Sequence, residues 1–188
     1  MNISNQNTEQ PFEVVRNNKL GVSQQIKKHY QLDNAYENFV ETLFDKQDYK
    51  WALMLTLKQS YEIKTDKGTY YKSLTFDDCR QIGERFLARL SRRTYKHAYG
   101  RYRKKVKALW AIENKSNKGN FHLHFAIGRL TSDLRKQENF NKALLNIKEH
   151  ITEINNYTHL QEIYSRKYNG YLTKELRHHN FDNLYFYN

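Results

Sequence analysis

The sequence predicts an α+β fold: a central antiparallel β-sheet flanked by helices, in the order strand, helix, strand, strand, helix, strand (βαββαβ), with an extra N-terminal helix. Three observations lead there. Val106–Glu113 and Phe121–Ile127 alternate large apolar residues with polar or small ones, at the two-residue period of strands. The stretch NKSNKGN between them has a loop composition, which suits a hairpin. Two other segments carry apolar residues at helical spacing: Cys79, Ile82, Phe86 and Leu90, then Leu144, Ile147, Ile151 and Ile154. With 188 residues the chain suits one domain with a real core.

Taken in order, residues 1–22 are polar and aperiodic and read as a flexible N-terminal arm; 23–188 read as one domain. Within it, 23–47 is an accessory helix, from the spacing of Tyr36, Phe39, Val40, Leu43 and Phe44. Residues 48–178 form the core. Lys50–Ser60 is apolar on both faces, as in a strand covered on both sides. Lys64–Lys72 contains Asp-Lys-Gly and reads as a turn of a hairpin. Thr75 with Asp78 resembles a capping box opening a long helix. Ser132 is the expected cap of the second core helix. A short strand is expected near Leu160–Tyr164, then a last helix over about 166–178, and the tail NFDNLYFYN is a final strand or an ordered arm. No internal repeat and no Walker-type glycine loop occurs.

Lys plus Arg number 32 against 20 Asp plus Glu, a formal charge of +12. That excess favours an anionic partner, nucleic acid first, although a merely soluble basic protein has the same balance. Fifteen Tyr and ten Phe supply faces that stack on unpaired bases, beyond those that fill the core. A single cysteine, Cys79, rules out an internal disulfide and suits a reducing, cytoplasmic setting. No apolar run approaches a membrane span and MNISNQNTEQ has no signal-peptide core, so no membrane partner is expected.

His122 and His124, two apart on a strand, project from one face. By themselves they are as well read as two solvated imidazoles. Folding the two strands into a hairpin with Glu113 opposite His122 puts Ala111 opposite His124, Ile112 opposite Leu123, Trp110 opposite Phe125 and Ala108 opposite Ile127. The large apolar residues of these pairs then share one face, and Glu113 joins both histidines on the other. A one-residue slip mixes the faces. A carboxylate with two imidazoles suits Mn²⁺ or Mg²⁺, and Zn²⁺ stays open; the alternative for Glu113 is an exposed strand-end charge.

On a helical wheel the last helix puts Tyr168, Leu172 and Leu176 on a packing face and Lys167, Tyr171, Lys174 and His178 on a polar stripe. Tyr171 and Lys174 are neighbours there, and an ammonium favours the phenolate of a phenol whose ordinary pKa is near 10. An amphipathic surface tyrosine is the competing reading. Gly170 either admits a DNA backbone or marks an irregular helix start. His178 and His179 read as exposed polar residues. Between Arg85 and Lys105, basic residues that include Arg89, Arg92, Arg93, Lys96, Arg101, Arg103 and Lys104 interleave with Tyr95, Tyr99 and Tyr102. Either they track a DNA backbone with bases stacked between, or they are a solvated helix face.

At these residues the chain resembles the HUH endonuclease superfamily, in its replication-initiator branch. The likeness rests on MLTLK with Thr56, on AIENKSNKGNFHLHFAI with Glu113, His122 and His124, and on Tyr171-Leu172-Thr173-Lys174, in the family's order over residues 48–178. It implies an HUH/RRM-like fold and nicking and joining of single-stranded DNA in rolling-circle replication. A divalent ion on Glu113, His122 and His124 would polarise the scissile phosphate, and Tyr171 would attack it to leave a 3′-hydroxyl and a 5′-phosphotyrosine. Lys174 would orient a phosphate or the site, Thr56 would support it, and Lys167 would join the basic residues that hold DNA. The resemblance further implies a plasmid- or virus-encoded protein in a bacterial or archaeal cell. Its substrate would be an origin hairpin or an unwound nick site, with a host helicase where unwinding is needed. Tyr164-Ser165-Arg166-Lys167 is a second Tyr-x-x-Lys; the wheel places Tyr164 and Tyr168 with the core, which leaves Tyr171 as the single nucleophile. A transposase or a relaxase shares this chemistry, though relaxases usually carry a third His where Glu113 stands. A basic nucleic-acid-binding module without catalysis, and a metal phosphoesterase using water, are the other readings.

Overall fold

The computed structural model describes residues 48–114, 120–164 and 183–188, together with Asn38, Thr42 and Leu172. The fold is α+β. A five-stranded antiparallel sheet runs in the order β6-β1-β5-β4-β7, and β2 and β3 form a separate two-stranded sheet. The strands are β1 Tyr49–Leu57, β2 Ser60–Thr65, β3 Gly68–Ser73, β4 Lys107–Asn114, β5 Phe121–Gly128, β6 Ile154–Glu162 and β7 Leu184–Tyr187. The helices are α1 Phe76–Tyr95, α2 His97–Tyr102 and α3 Gln137–Lys148. The expected N-terminal arm and nearly all of the accessory helix lie outside the described residues; Asn38 and Thr42 are helical, and the Thr42 hydroxyl donates to the Asn38 carbonyl. The last helix also lies outside them, except for Leu172, which is helical and buried.

The main core lies between one face of the sheet and the helices. Trp51, Leu53, Leu55 and Leu57 of β1, Trp110 and Ile112 of β4, and Leu123, Phe125 and Ile127 of β5 meet Ile82, Phe86 and Leu90 of α1 and Phe140, Ala143 and Ile147 of α3. Trp110 sits at its centre, stacked on Phe125 at 5.5 Å and on Tyr185 of β7 at 4.5 Å between ring centroids. Trp51 satisfies its indole N–H by donating to the Leu134 carbonyl at 2.8 Å. A second, smaller cluster occupies the other face: Leu109, Ala111, Ala126, Leu184 and Leu172.

The α1 start follows local chemistry. Thr75 accepts from the Asp78 backbone N–H and Asp78 accepts from that of Thr75, a complete capping box. Cys79, Ile82, Phe86 and Leu90 are its buried stripe, as their spacing predicts. The helix stops at Lys96, whose φ of 47° and ψ of −119° mirror extended backbone and favour glycine. For a residue with a Cβ this costs on the order of 1–3 kcal/mol.

Four expectations are corrected. Strand β1 ends at Leu57 rather than Ser60, and the turn beyond it joins β2 and β3, which the strand order omits. Alternation there is weak, because every residue of β3 is exposed. Ser132 does not cap the second core helix: α3 begins at Gln137, with Lys136 at its cap and no side-chain cap bond. Ile151 and Ile154 keep helical spacing and are buried, but α3 ends at Lys148 and Ile154 already opens β6. The strand expected near 160–164 is therefore Ile154–Glu162, and Tyr164 lies past its end, 85 % exposed, with its hydroxyl donating to Glu162. Tyr164 is not a core residue.

The two edges of the sheet have a topological consequence. Strands β6 and β7 lie at opposite edges, roughly 19 Å apart at ~4.8 Å per strand spacing. The chain between Tyr164 and Asn183 has that width to cross, and Leu172 is seated on the face carrying Leu109, Ala111 and Ala126. The crossing ends at Leu184, which pairs with Ala111, itself paired with His124.

Two predictions follow from the core. A Cβ on Gly83 would sit 2.4 Å from the Trp110 ring, so Gly83→Ala should destabilise despite the usual gain of about 1 kcal/mol for this change in a helix. We expect a net loss of about 1–2 kcal/mol, roughly 2–8 °C in Tm; a rise in Tm by calorimetry would contradict this packing. Burial pushes the Cys79 thiol up to about 12, so a thiol reagent at neutral pH should stay unreacted with the native protein and titrate Cys79 only after urea unfolding.

Candidate functional site

The β4–β5 hairpin adopts the register that the apolar pattern demands. Glu113 pairs with His122, Ile112 with Leu123, Ala111 with His124, Trp110 with Phe125 and Ala108 with Ile127. Directly opposed residues share a face. Ile112, Trp110, Leu123 and Phe125 therefore point into the main core, and Glu113, His122 and His124 project from the opposite face. Strand β1 adds Thr56, paired with His122, and Met54, paired with His124.

Glu113 and His124 are almost fully buried, at 4 % and 3 % exposure, yet each is polar. They meet in a 2.7 Å contact between Glu113 Oε2 and His124 Nε2. With Glu113 ionised, Nε2 carries the proton and donates. His122 is half-buried and turns the other way, its Nδ1 3.2 Å from Thr56 Oγ1. The two imidazole centroids stand 6.4 Å apart. Among the described residues no group of three or more His, Cys, Asp or Glu side chains stands together as a ready cage. Gathering this set around one ion needs a rotamer change at His122, since all three side chains already leave the same face. One carboxylate oxygen and two imidazole nitrogens are donors that Mn²⁺ or Zn²⁺ accepts more readily than Mg²⁺.

Tyr171, Lys174 and Lys167 lie outside the described residues, as do Tyr168 and His178. Leu172, the chain neighbour of Tyr171, is buried against Leu109, Ala111, Ala126 and Leu184. Tyr164 follows the end of β6, where Glu162 pairs with Trp51 and Trp51 with Ile127. That is five residues along β5 from His122, roughly 16 Å at ~3.3 Å per residue.

One residue on this face escapes the sequence reading. His159 of β6 is exposed and pairs with Met54, whose other partner is His124. Its place shows only once β6 is known to start at Ile154, so that Tyr157, His159 and Gln161 form an exposed stripe.

The basic residues occupy the other side of the molecule. No acid interrupts the sequence between Glu84 and Glu113. Arg89, Arg92 and Arg93 belong to α1, which packs on the main core face, away from Glu113. Arg101, Arg103 and Lys104 lie on and after α2, just before β4 enters at Lys107, which pairs with Gly128 at the end of the hairpin remote from Glu113. Lys107 and Glu113 are roughly 20 Å apart along the strand. Tyr95, Tyr99 and Tyr102 are already engaged by cations: Lys104, Arg92 and Arg101 lie over them at 5.0, 5.6 and 5.4 Å from the ring centroids. Among the described residues, Arg89, Arg92, Arg93, Lys96, Arg101, Arg103 and Lys104 make no ion pair with a carboxylate. No described helix is long and apolar enough to cross a membrane.

The buried acid–imidazole contact has a measurable weight. Glu113→Ala strips His124 of this partner and should cost about 1–3 kcal/mol in urea unfolding with chelator present, while Glu113→Gln should recover part of it. Thr56→Val, at a half-buried position, should cost less than about 1.5 kcal/mol. A neutral Glu113→Ala would mean that the contact does not hold the site together. The chain matches no known family, no curated protein and no solved structure.

Proposed function

We propose that the chain nicks and rejoins single-stranded DNA through a covalent 5′-phosphotyrosine, with a divalent ion, Mn²⁺ or Mg²⁺, held by Glu113, His122 and His124. The observation that supports this reading is the common sheet face of those three residues, on which Leu172, next to Tyr171 in the chain, also packs. Buried polar groups gathered on an otherwise small-residue surface suit a site better than a core.

When bound, the ion would draw electron density from the scissile phosphate and stabilise charge on its oxygens. Tyr171 supplies the attacking oxygen. Its bond to phosphorus forms as the bond from phosphorus to the 3′-oxygen breaks, and the proton lost by the phenol is balanced by the one gained at the 3′-hydroxyl. One phosphoester replaces another, so a later 3′-hydroxyl reverses the step without ATP. Lys174 favours the phenolate and orients the phosphate. Thr56, 3.2 Å from His122 Nδ1, would steady that imidazole as a hydrogen-bond partner beside the site. Arg89, Arg92, Arg93, Lys96, Arg101, Arg103, Lys104 and Lys167 bind phosphates without reading sequence.

The use of this chemistry that we favour is initiation of rolling-circle replication in a cell's cytoplasm, on a strand exposed at an origin hairpin or opened by a host helicase. Transposition and conjugation would use the same site. A non-catalytic nucleic-acid-binding module is the second reading, favoured by one observation: the cationic residues on α1 and α2 lie on the layer away from Glu113.

The test uses labelled single-stranded oligonucleotides of pooled sequence with the protein and Mn²⁺. A denaturation-resistant adduct should form and vanish with Tyr171→Phe. Thr56→Ala should lower metal affinity or adduct yield about 10–100-fold, the usual effect of losing a ligand's hydrogen-bond partner. An adduct that survives Tyr171→Phe would move the nucleophile to Tyr168 or Tyr164. Cleavage without adduct would indicate attack by water, and binding with neither would favour the module.

A further inference from the structure

On the helix layer, away from Glu113, α1 and α3 flank a cavity of about 640 Å³ whose lining includes Arg93, Lys96, Thr131, Asn139 and Lys142. Its one lining acid, Asp133, is engaged by the Asn139 side-chain amide at 2.6 Å. Arg93 also borders a hollow of about 170 Å³ beside Arg89 and Arg92. Both hollows border α1 and share Arg93, a discontinuous groove along that helix. From Arg89 to Lys96 it runs roughly 10 Å, at 1.5 Å of helix rise per residue. One DNA strand places a phosphate about every 3.4 Å of duplex axis, so this length spans about three phosphates.

The backbone supplies an independent observation. The described non-glycine residues with positive φ are Lys96, Arg103 and Arg129, at 47°, 50° and 51°. Each strained position carries a long cation where glycine or asparagine would fit with less strain. One of them, Lys96, lines the larger cavity, and Arg129, two residues before the lining Thr131, is tied to α1 by the Tyr95 hydroxyl, which donates to its carbonyl. A fold indifferent to charge there gains nothing from the side chain.

We propose that this groove is a second nucleic-acid site, which seats the sugar-phosphate backbone of duplex DNA on the side of the sheet opposite the cutting face. A duplex is favoured over a single strand because, among the described residues, the lining of the larger cavity includes no aromatic ring to stack on unpaired bases. A duplex hides its bases and offers phosphates alone along its backbone. The site stands whether or not the protein nicks DNA.

The test measures binding of the full chain to a fluorescent 20-base-pair duplex in EDTA, across a salt series, so that cleavage plays no part. Arg89→Gln with Arg93→Gln should lower the slope of log K against log salt by about 1.8, two phosphate contacts at ~0.9 each. Lys64→Gln with Lys67→Gln removes the same charge from the exposed β2–β3 hairpin and should change the slope by less than about 0.5. Lys96→Gly should weaken duplex binding severalfold while Tm holds or rises. Equal effects of the two pairs would reduce the site to net charge and overturn the proposal. So would no effect of the arginine pair, a Lys96→Gly protein that binds as wild type, or one whose Tm falls. Failure of adduct formation leaves each of these readings intact, so the two proposals fall separately.

Discussion

The pairing of β4 with β5 is the constraint on which the rest of the molecule depends. Successive strand residues point to opposite faces, so one register sends Trp110, Ile112, Leu123 and Phe125 inward and Glu113, His122 and His124 to the other side. A shift of one residue would bury charges under α1 and leave two aromatic rings without a core. The same apolar demand that holds the hairpin together thus sends three polar side chains to one face of the sheet. Thr56 arrives by the same rule, since β1 pairs with β5 over the length of that face.

This coupling explains what could be read in advance. The hairpin register was legible because large apolar residues alternate with small or polar ones on both strands, and only one alignment separates them. The cap of α1 was legible because Thr75 and Asp78 satisfy each other locally. The start of α3 was not, because no side chain caps it and packing of Phe140 and Leu144 decides where it begins. Strand β6 was misread because Ile151 and Ile154 continue a helical spacing through a turn; tertiary burial of both residues produces that coincidence. His159 was lost with it. Tyr164 was assigned to a core face on a wheel that does not apply at a strand end. Tyr171 and Lys174 follow from the sequence pattern, on either side of the buried Leu172.

The sheet divides the molecule chemically. One side is a helix layer whose arginines and lysines run without an intervening acid, several of them held over tyrosine rings. The other is a face of alanines and leucines with a buried carboxylate, the buried His124 and the half-buried His122.

The two edges of the sheet are very unequal moorings. Strand β6 forms one with nine residues, and β7 forms the other with four. Under load the shorter edge gives way first. Its departure would lift Tyr185 from Trp110 and wet a ring of the main core. Strain at β7 is thus transmitted straight to the most aromatic part of the interior, which makes that strand a mechanical fuse for the whole sheet.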